Sequence, residues 1–219
     1  MNQRCPFDKR VLPGFLVLLG AWAALAFFAG NAAMHALVGF LVLFHLYFFR
    51  DPKRKMAEGD GPVSAADGKV VEISRVMEDR YLKTQALKIG IFLSVFDVHV
   101  TRAPENGTVE YLEYVPGKFL NALREESAKY NESNWIGLSQ GPRRVLVRQI
   151  AGVIARRIRC DVAKGDAVEK GGKVGMICYG SRVEIFIPES DFVPAVNPGQ
   201  KVYAGKTLLG TWRSRKGPL

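Results

Sequence analysis

The chain has 219 residues, which is room for one domain and an additional segment. Its net charge of +10 predicts an anionic partner, and a phospholipid membrane is favoured over nucleic acid because no basic stripe is interleaved with aromatic residues. Three cysteines without a CxxC pair argue against a disulfide framework, and three histidines without a carboxylate–histidine cluster argue against a metal site.

The first predicted element is an uncharged segment, residues 11–49, whose 39 positions approach two membrane spans of about 20 residues each. A Gly-Asn pair at 30–31 predicts a hairpin tip, with spans near 12–29 and 33–49. The segment is too long for a signal peptide. A buried soluble hairpin is the alternative, although no polar face recurs at a helical period. Basic residues flank both ends, which predicts that residues 1–10 and the rest of the chain lie on the cytoplasmic side of the cell membrane.

A basic linker, residues 50–61, leads to a β domain predicted over 62–219, where short segments rich in Val, Ile and aromatic residues alternate with turns. Helical periodicity is clear only from 118 to 130. A G-x-x-V-x-x-G pattern starts at Gly165 and again at Gly199, and its glycines predict turns with positive φ. This pattern resembles the hammerhead turns of biotinyl and lipoyl domains. The expected fold class is therefore mainly β, a barrel-sandwich-hybrid domain with an N-terminal transmembrane helical hairpin.

Few residues of the β domain could carry chemistry. His99, its single histidine, ends a strand pattern that is apolar on both faces, and taken alone it predicts a hydrogen-bonded core or rim histidine. Asp67 precedes a glycine and a strand, which is typical of a turn, and Asp97 is a competing carboxylate closer to the histidine in sequence. Gly180 and Ser181 break a strand pattern, which is also typical of a turn.

Considered together, Ser181, His99 and Asp67 indicate self-cleavage. A serine hydroxyl can attack the carbonyl before it when an Asp–His pair takes its proton, as in hydrolytic triads. A preceding glycine leaves room for that attack and tolerates a strained backbone. The acyl shift gives an ester, β-elimination leaves a dehydroalanine, and hydrolysis gives a pyruvoyl group on the new N-terminus. The cut between Gly180 and Ser181 would give chains 1–180 and 181–219.

The order and spacing of several segments identify a family. They include "GPVSAADGKVVEI", "GIFLSVFDVHVTRAPENGTV", "KGDAVEKGGKVGMICYGSRVEIFIP" and "VNPGQKVYAGKTLLG". With them, nearly the whole chain resembles the short, membrane-bound form of phosphatidylserine decarboxylase, a pyruvoyl enzyme. The resemblance implies that Ser181 becomes the pyruvoyl cofactor, that Asp67 and His99 serve maturation, and that no metal or pyridoxal phosphate is used. The chain departs from the long forms at Arg182, where they have threonine, and at Phe96, where they have a second histidine.

The implied reaction converts phosphatidylserine to phosphatidylethanolamine and CO₂. The pyruvoyl ketone acts as the electron sink, and His99 protonates the substrate Cα. The two cleavage products are expected to stay together as a heterodimer.

Residues 118–140 are predicted either to form a membrane-facing rim or to cover a sheet edge. The cysteines are expected to be buried thiols, with a catalytic Cys178 as the alternative. Two other functions remain open: a non-enzymatic lipoyl-like adaptor, and a pyruvoyl enzyme acting on a soluble amino acid or on a related lipid such as archaetidylserine.

Overall fold

The structure is a computed structural model, and it describes residues 7–8, 10–28, 31–120, 129–152, 158–178 and 181–213. The chain divides into two compact units, Met1–Lys53 and Arg54–Leu219, which we call the N-terminal and C-terminal units.

The N-terminal unit contains two helices that pack against each other, α1 (Val11–Phe28) and α2 (Ala32–Phe48). Asn31 begins the second helix, because its side-chain oxygen accepts the N–H of Ala33 at 3.0 Å and so satisfies a donor that the first turn leaves free. The helices approach closely at Gly14, where an added Cβ would lie 2.4 Å from the His45 ring. His45 Nε2 also lies 3.0 Å from the carbonyl oxygen of Val11.

The predicted transmembrane hairpin is wrong. The two helices have 18 and 17 residues, whereas about 20 residues are needed to cross a hydrocarbon core of about 30 Å. Within the described ranges, no helix is both long enough and apolar enough to span a membrane. The 39 uncharged positions include the cap residues Asn31 and Phe49, which lie outside the helices, so counting uncharged residues overestimates helix length.

The C-terminal unit is mainly β. Its described strands are β1 (Gly68–Glu78), β2 (Thr84–Leu93), β3 (Val100–Arg102), β4 (Gly107–Val115), β5 (Ser133–Gln140), β6 (Arg143–Ile150), β7 (Ile158–Cys160), β8 (Ala167–Val168), β9 (Lys173–Ile177), β10 (Ser181–Pro188), β11 (Phe192–Pro194), β12 (Lys201–Val202) and β13 (Gly210–Trp212). They form three antiparallel sheets, with orders β12-β1-β2-β10-β6-β5-β4-β8, β11-β13 and β3-β9-β7. The largest sheet curls into a half barrel. A 3₁₀ turn occupies Glu189–Asp191.

The expected fold class, a barrel-sandwich-hybrid domain with a transmembrane hairpin, therefore needs correction. The unit is built on one curled eight-stranded sheet, and among the described residues no helix is both long and apolar enough to span a membrane. The turn prediction made from the glycine pattern is confirmed, because the four glycines 165, 171, 199 and 205 have φ values of +95°, +76°, +90° and +73°. Residues that carry a side chain rarely adopt such φ values, so glycine is required at these turns. The helix predicted over 118–130 lies mostly outside the described residues, since 121–128 are not described.

Strand β10 lies at the centre of the large sheet, between β2 and β6, and both of its faces are covered. Successive side chains of a strand point to opposite faces. Val183, Ile185 and Ile187 therefore join the main apolar core, whereas Phe186 joins a smaller cluster on the other face with Trp135. Because Ser181 has the same parity as Val183, its side chain belongs to the core face of the sheet.

Candidate active site

Ser181 is the first residue of β10, and it pairs with Leu93, the last residue of β2. The residue is fully buried, and its Oγ has no hydrogen-bond partner among the described residues. Leaving a buried polar group without a partner costs about 1–3 kcal/mol, so such a group in a native fold needs a reason other than stability. A hydroxyl with no competing bond is available to attack a neighbouring carbonyl. Gly180, the other half of the predicted cleavage site, lies outside the described residues.

The predicted serine and histidine lie on two chain segments that are joined by backbone hydrogen bonds near both ends. At one end Leu93 pairs with Ser181. At the other end, the N–H of Ile177 donates to the main-chain oxygen of His99 at 3.2 Å, just before β3 pairs with β9. The connection from β2 to β3 is thus tied at both ends to the connection from β9 to β10. The structure thereby brings His99 and Ser181 into one small region at the end of the large sheet.

The hydrogen bond of the His99 ring fixes its tautomer. The ring is fully buried, and Nδ1 lies 2.9 Å from the main-chain oxygen of Asp97. A carbonyl oxygen can only accept, so Nδ1 carries a proton, and in the neutral imidazole Nε2 is then the atom that can take a proton. This is the protonation pattern that a general base requires.

The Asp97 carboxylate stabilises the turn that precedes the histidine. Its Oδ2 accepts the N–H and the hydroxyl of Ser94 at 2.9 and 2.7 Å, and its Oδ1 accepts from Lys201. Burial alone raises the pKa of Asp97, but the hydrogen bonds from Lys201 and Ser94 outweigh it and hold the pKa below its ordinary value. The carboxylate is therefore ionised near neutral pH, and Asp97 contacts the imidazole of His99 through its backbone.

This geometry predicts that Asp97→Asn cleaves itself at close to the wild-type rate. The main-chain oxygen that binds His99 Nδ1 is unchanged by the substitution. Asp67→Asn should be slower, and a time course of denaturing gels after expression compares the two variants. Normal cleavage in Asp67→Asn together with a block in Asp97→Asn would reverse our assignment of the carboxylates.

Asp67 is a buried carboxylate directly before β1, and Arg54 holds it. Arg54 Nη2 donates to Oδ2 at 2.8 Å, Nη1 donates to Oδ1, and the N–H of Ala204 donates to Oδ1 at 2.8 Å. The next residue, Gly68, packs directly on the end of β2, where an added Cβ would lie 2.1 Å from the Phe92 oxygen. Asp67 therefore lies at the same end of the sheet as Ser181, and its predicted role in maturation stays a prediction.

Arg54 is the residue that reasoning from the sequence missed. It lies in the segment predicted to be a basic linker, yet its side chain is only 6% exposed. Its Nη1 also donates to the carbonyl oxygen of Ala204 at 2.9 Å. Nothing in a run of basic residues indicates which one will be buried against a carboxylate 13 positions later.

Arg54→Ala should strongly destabilise the C-terminal unit, because it leaves the Asp67 carboxylate buried without a charge partner. Removing one partner of a buried ion pair costs about 3–5 kcal/mol of unfolding free energy. Arg54→Lys should lose less, since it keeps the charge but not the two-pronged contact. Lys55→Ala is the matched control, because Lys55 forms an exposed pair with Glu58. Urea unfolding measures all three variants, and a wild-type midpoint in Arg54→Ala would contradict the pairing.

Comparison with known proteins agrees with the resemblance that the motifs indicate. The family model for phosphatidylserine decarboxylase matches residues 41–210. Three similar proteins are each described as a phosphatidylserine decarboxylase proenzyme. One from Carboxydothermus hydrogenoformans is 45% identical over 197 residues, covering 90% of this chain and 92% of its own length. One from Symbiobacterium thermophilum is 44% identical over 211 residues, covering 95% and 97%. One from Polynucleobacter asymbioticus is 38% identical over 196 residues, covering 89% and 90%.

The match covers the three predicted site residues, Asp67, His99 and Ser181. It spans far more than half of the chain, and the relatives align over nearly their whole length. The chain therefore belongs to the phosphatidylserine decarboxylase family, and it is an enzyme of the carboxy-lyase class.

Proposed function

We propose that this chain cleaves itself between Gly180 and Ser181 and then converts phosphatidylserine to phosphatidylethanolamine and CO₂ with a pyruvoyl group derived from Ser181. The observation that carries the proposal is the buried Ser181 hydroxyl, which has no hydrogen-bond partner among the described residues and begins a strand beside the His99 segment. The word proenzyme in the relatives' names supports a precursor that is cut. Membership of a decarboxylase family removes the support for a non-enzymatic adaptor.

Maturation can be written with the groups at this site. His99 Nε2 takes the hydroxyl proton of Ser181 as Oγ attacks the Gly180 carbonyl carbon, and the proton passes to the leaving amine as the C–N bond breaks. A base then removes the Cα proton of residue 181, and the Gly180 carboxylate leaves from Cβ. Water releases ammonia from the remaining enamine and leaves a ketone. Each step needs only water and a base, and His99 is poised for proton transfer near neutral pH.

The Ser181 hydroxyl fits the group that must attack and then leave for a ketone to form at Cα of residue 181, because no hydrogen bond within the described residues holds it. Once formed, a pyruvoyl group supplies an electron sink for the carbanion that loss of CO₂ leaves. His99 is the residue that would protonate the substrate Cα, since its Nδ1 is fixed by the Asp97 backbone and its Nε2 can exchange a proton.

We place the reaction at the cytoplasmic face of the cell membrane. The proposed substrate is a membrane lipid, and a chain with a net charge of +10 is attracted to the anionic cytoplasmic leaflet. Exposed apolar side chains of the N-terminal unit, such as Leu16, Phe40 and Leu43, support contact with lipid. The predicted membrane-facing rim, residues 118–140, is wrong over its last part, because residues 133–140 form strand β5 and residues 133–138 are buried. Residues 121–128 lie outside the described part of the chain, so the earlier part of the rim stays a prediction made from the sequence.

A lipid assay tests the proposed function. Purified protein is incubated with vesicles that contain phosphatidylserine, and phosphatidylethanolamine is measured with and without prior treatment with hydroxylamine, which traps ketones. We expect lipid product that the reagent abolishes, and no CO₂ from free serine. Decarboxylation of free serine alone would favour the soluble-substrate alternative. Lipid product that is insensitive to hydroxylamine would contradict a pyruvoyl mechanism.

A further inference from the structure

Arg182, directly after Ser181, is a buried charge on the opposite face of β10. Its side chain is 3% exposed, although a cation is rarely buried unless it is paired. Two carboxylates pair with it. Arg182 Nε and Nη2 lie 3.0 and 2.9 Å from Glu184 Oε1, and Nη2 also contacts Glu72 Oε2. The position that departs from the threonine of the long forms is thus part of a buried ion-pair cluster.

The cluster crosses four strands of the large sheet in one row. Glu72 of β1 is opposite Gly90 of β2, Gly90 is opposite Glu184 of β10, and Glu184 is opposite Arg148 of β6. Gly90 makes the row possible, because an added Cβ there would lie 2.7 Å from Arg182 Nη2. The Arg182 side chain therefore passes over β2 and reaches β1. Arg148 Nη1 lies 3.3 Å from Glu184 Oε2, which ties β6 into the same row.

Glu72 is kept ionised within this cluster. Burial alone raises its pKa, but hydrogen bonds from Lys88, Ser74 and Arg182 outweigh the burial and hold the pKa below its ordinary value. Lys88 Nζ lies 2.6 Å from Glu72 Oε1. The contact between Glu72 and Arg182 is thus an ion pair at neutral pH, in a setting that is only partly screened by water.

If the chain is cut between Gly180 and Ser181, this ion pair joins the two fragments. Glu72 belongs to fragment 1–180, whereas Arg182 is the second residue of fragment 181–219. Chain termini fray unless they are tied down, and here the first residue of the small fragment would carry the reacting ketone. Backbone pairing alone begins at residue 181, where Ser181 pairs with Leu93. A buried side-chain anchor at the next residue restricts the rotation and withdrawal of that terminus.

We propose that Arg182 is a positioning residue, which through Glu72 and Glu184 holds the N-terminal residue of the small fragment in place so that its ketone stays aligned with His99 during turnover. The inference rests on the proposed function. It concerns turnover after the cut, so it predicts a loss of kcat with little change in KM. Misplacing a reacting group by about 1 Å can cost about 100-fold in rate.

The test measures kcat per mole of ketone, with the ketone titrated by a hydrazine, so that incomplete cleavage does not lower the value. Glu72→Gln is the main variant, because Arg182 keeps its hydrogen bonds to Glu184. The arginine charge therefore still has a carboxylate partner. Arg182→Lys removes the two-pronged contact and keeps the charge, whereas Arg182→Met removes the charge as well. Arg75→Met is the matched control, since the exposed Arg75 forms an ion pair with the half-buried Glu189 between the same two fragments.

We expect kcat per ketone to fall at least about tenfold in Glu72→Gln and further in Arg182→Met, with KM within about twofold of wild type. Arg182→Lys should recover part of the loss, and Arg75→Met should behave as wild type. If Arg182→Met does not fold, Glu72→Gln and Arg182→Lys decide the question. Wild-type kcat per ketone in Glu72→Gln, or an equal loss in Arg75→Met, would overturn the inference. Absence of ketone from the wild-type protein would instead contradict the proposed function.

Discussion

Ser181→Ala should remain a single chain of 219 residues and should form no phosphatidylethanolamine. The substitution removes the hydroxyl that would attack the Gly180 carbonyl, and without the resulting ester there is no elimination and no ketone at residue 181. The fold should persist, because the Ser181 Oγ makes no hydrogen bond among the described residues that the substitution could break. We therefore expect an unfolding midpoint at or slightly above that of wild type, since removing an unsatisfied buried polar group is not destabilising. Denaturing gels, lipid analysis and thermal unfolding measure the three properties.

Two further variants sharpen this result. Ser181→Cys should still cleave, but slowly, because a thiol can make the same acyl shift. Ser190→Ala is the matched control, since Ser190 is exposed after the same strand and should cleave normally. Cleavage or product formation in Ser181→Ala would show that another residue is the nucleophile.

His99→Ala should be uncut or cut very slowly. A general base contributes about 10²- to 10⁴-fold to the rate of a proton transfer step, and no other histidine is present in residues 54–219. The rate of cleavage is followed by gels after synthesis in a cell-free system. His99→Gln guards against loss of folding, because an amide can still donate to the Asp97 main-chain oxygen that now accepts from Nδ1. It should fold like wild type and fail to cleave.

His35→Ala is the control for this prediction, because His35 lies in the N-terminal helices, where its Nδ1 accepts from Trp22 Nε1 at 3.1 Å. It should cleave at the wild-type rate. Asp67→Asn should slow cleavage as well, because it weakens the hydrogen bonds by which Arg54 and the N–H of Ala204 now hold the side chain of residue 67. Rapid cleavage in both folded His99 variants would remove the histidine from the mechanism.

The sequence was most informative where local pattern decides local structure. The alternation from Val183 to Ile187 predicted the strand that begins at Ser181, and the paired glycine motifs predicted turns that only glycine adopts readily. A serine after a glycine, one histidine in the β domain and an aspartate also predicted self-cleavage, which stays a prediction. These features depend on residue type and spacing, which the sequence contains in full.

The sequence was least informative where contacts between positions distant in the chain determine the burial and the partner of a side chain. A count of uncharged residues predicted two spans, but helix length depends on where capping residues such as Asn31 interrupt the backbone. The partner of Asp67 is Arg54, in the segment that was predicted only to be a basic linker. The sequence indicated only that Arg182 departs from the long forms, and strand register is what places it over Gly90 beside Glu72. The bond from His99 to a main-chain oxygen likewise depends on the turn before it.

The central claim, that the enzyme makes its cofactor by cutting its own chain, is tested most directly by the intact mass of the denatured wild-type protein. We predict two polypeptides, residues 1–180 and 181–219, with the smaller one lighter than a serine-initiated peptide by the mass of ammonia and resistant to N-terminal sequencing. Reduction with borohydride in the presence of an amine should add that amine to the smaller fragment alone. An active decarboxylase with the mass of one uncut chain of 219 residues and an intact Ser181 hydroxyl would contradict the account.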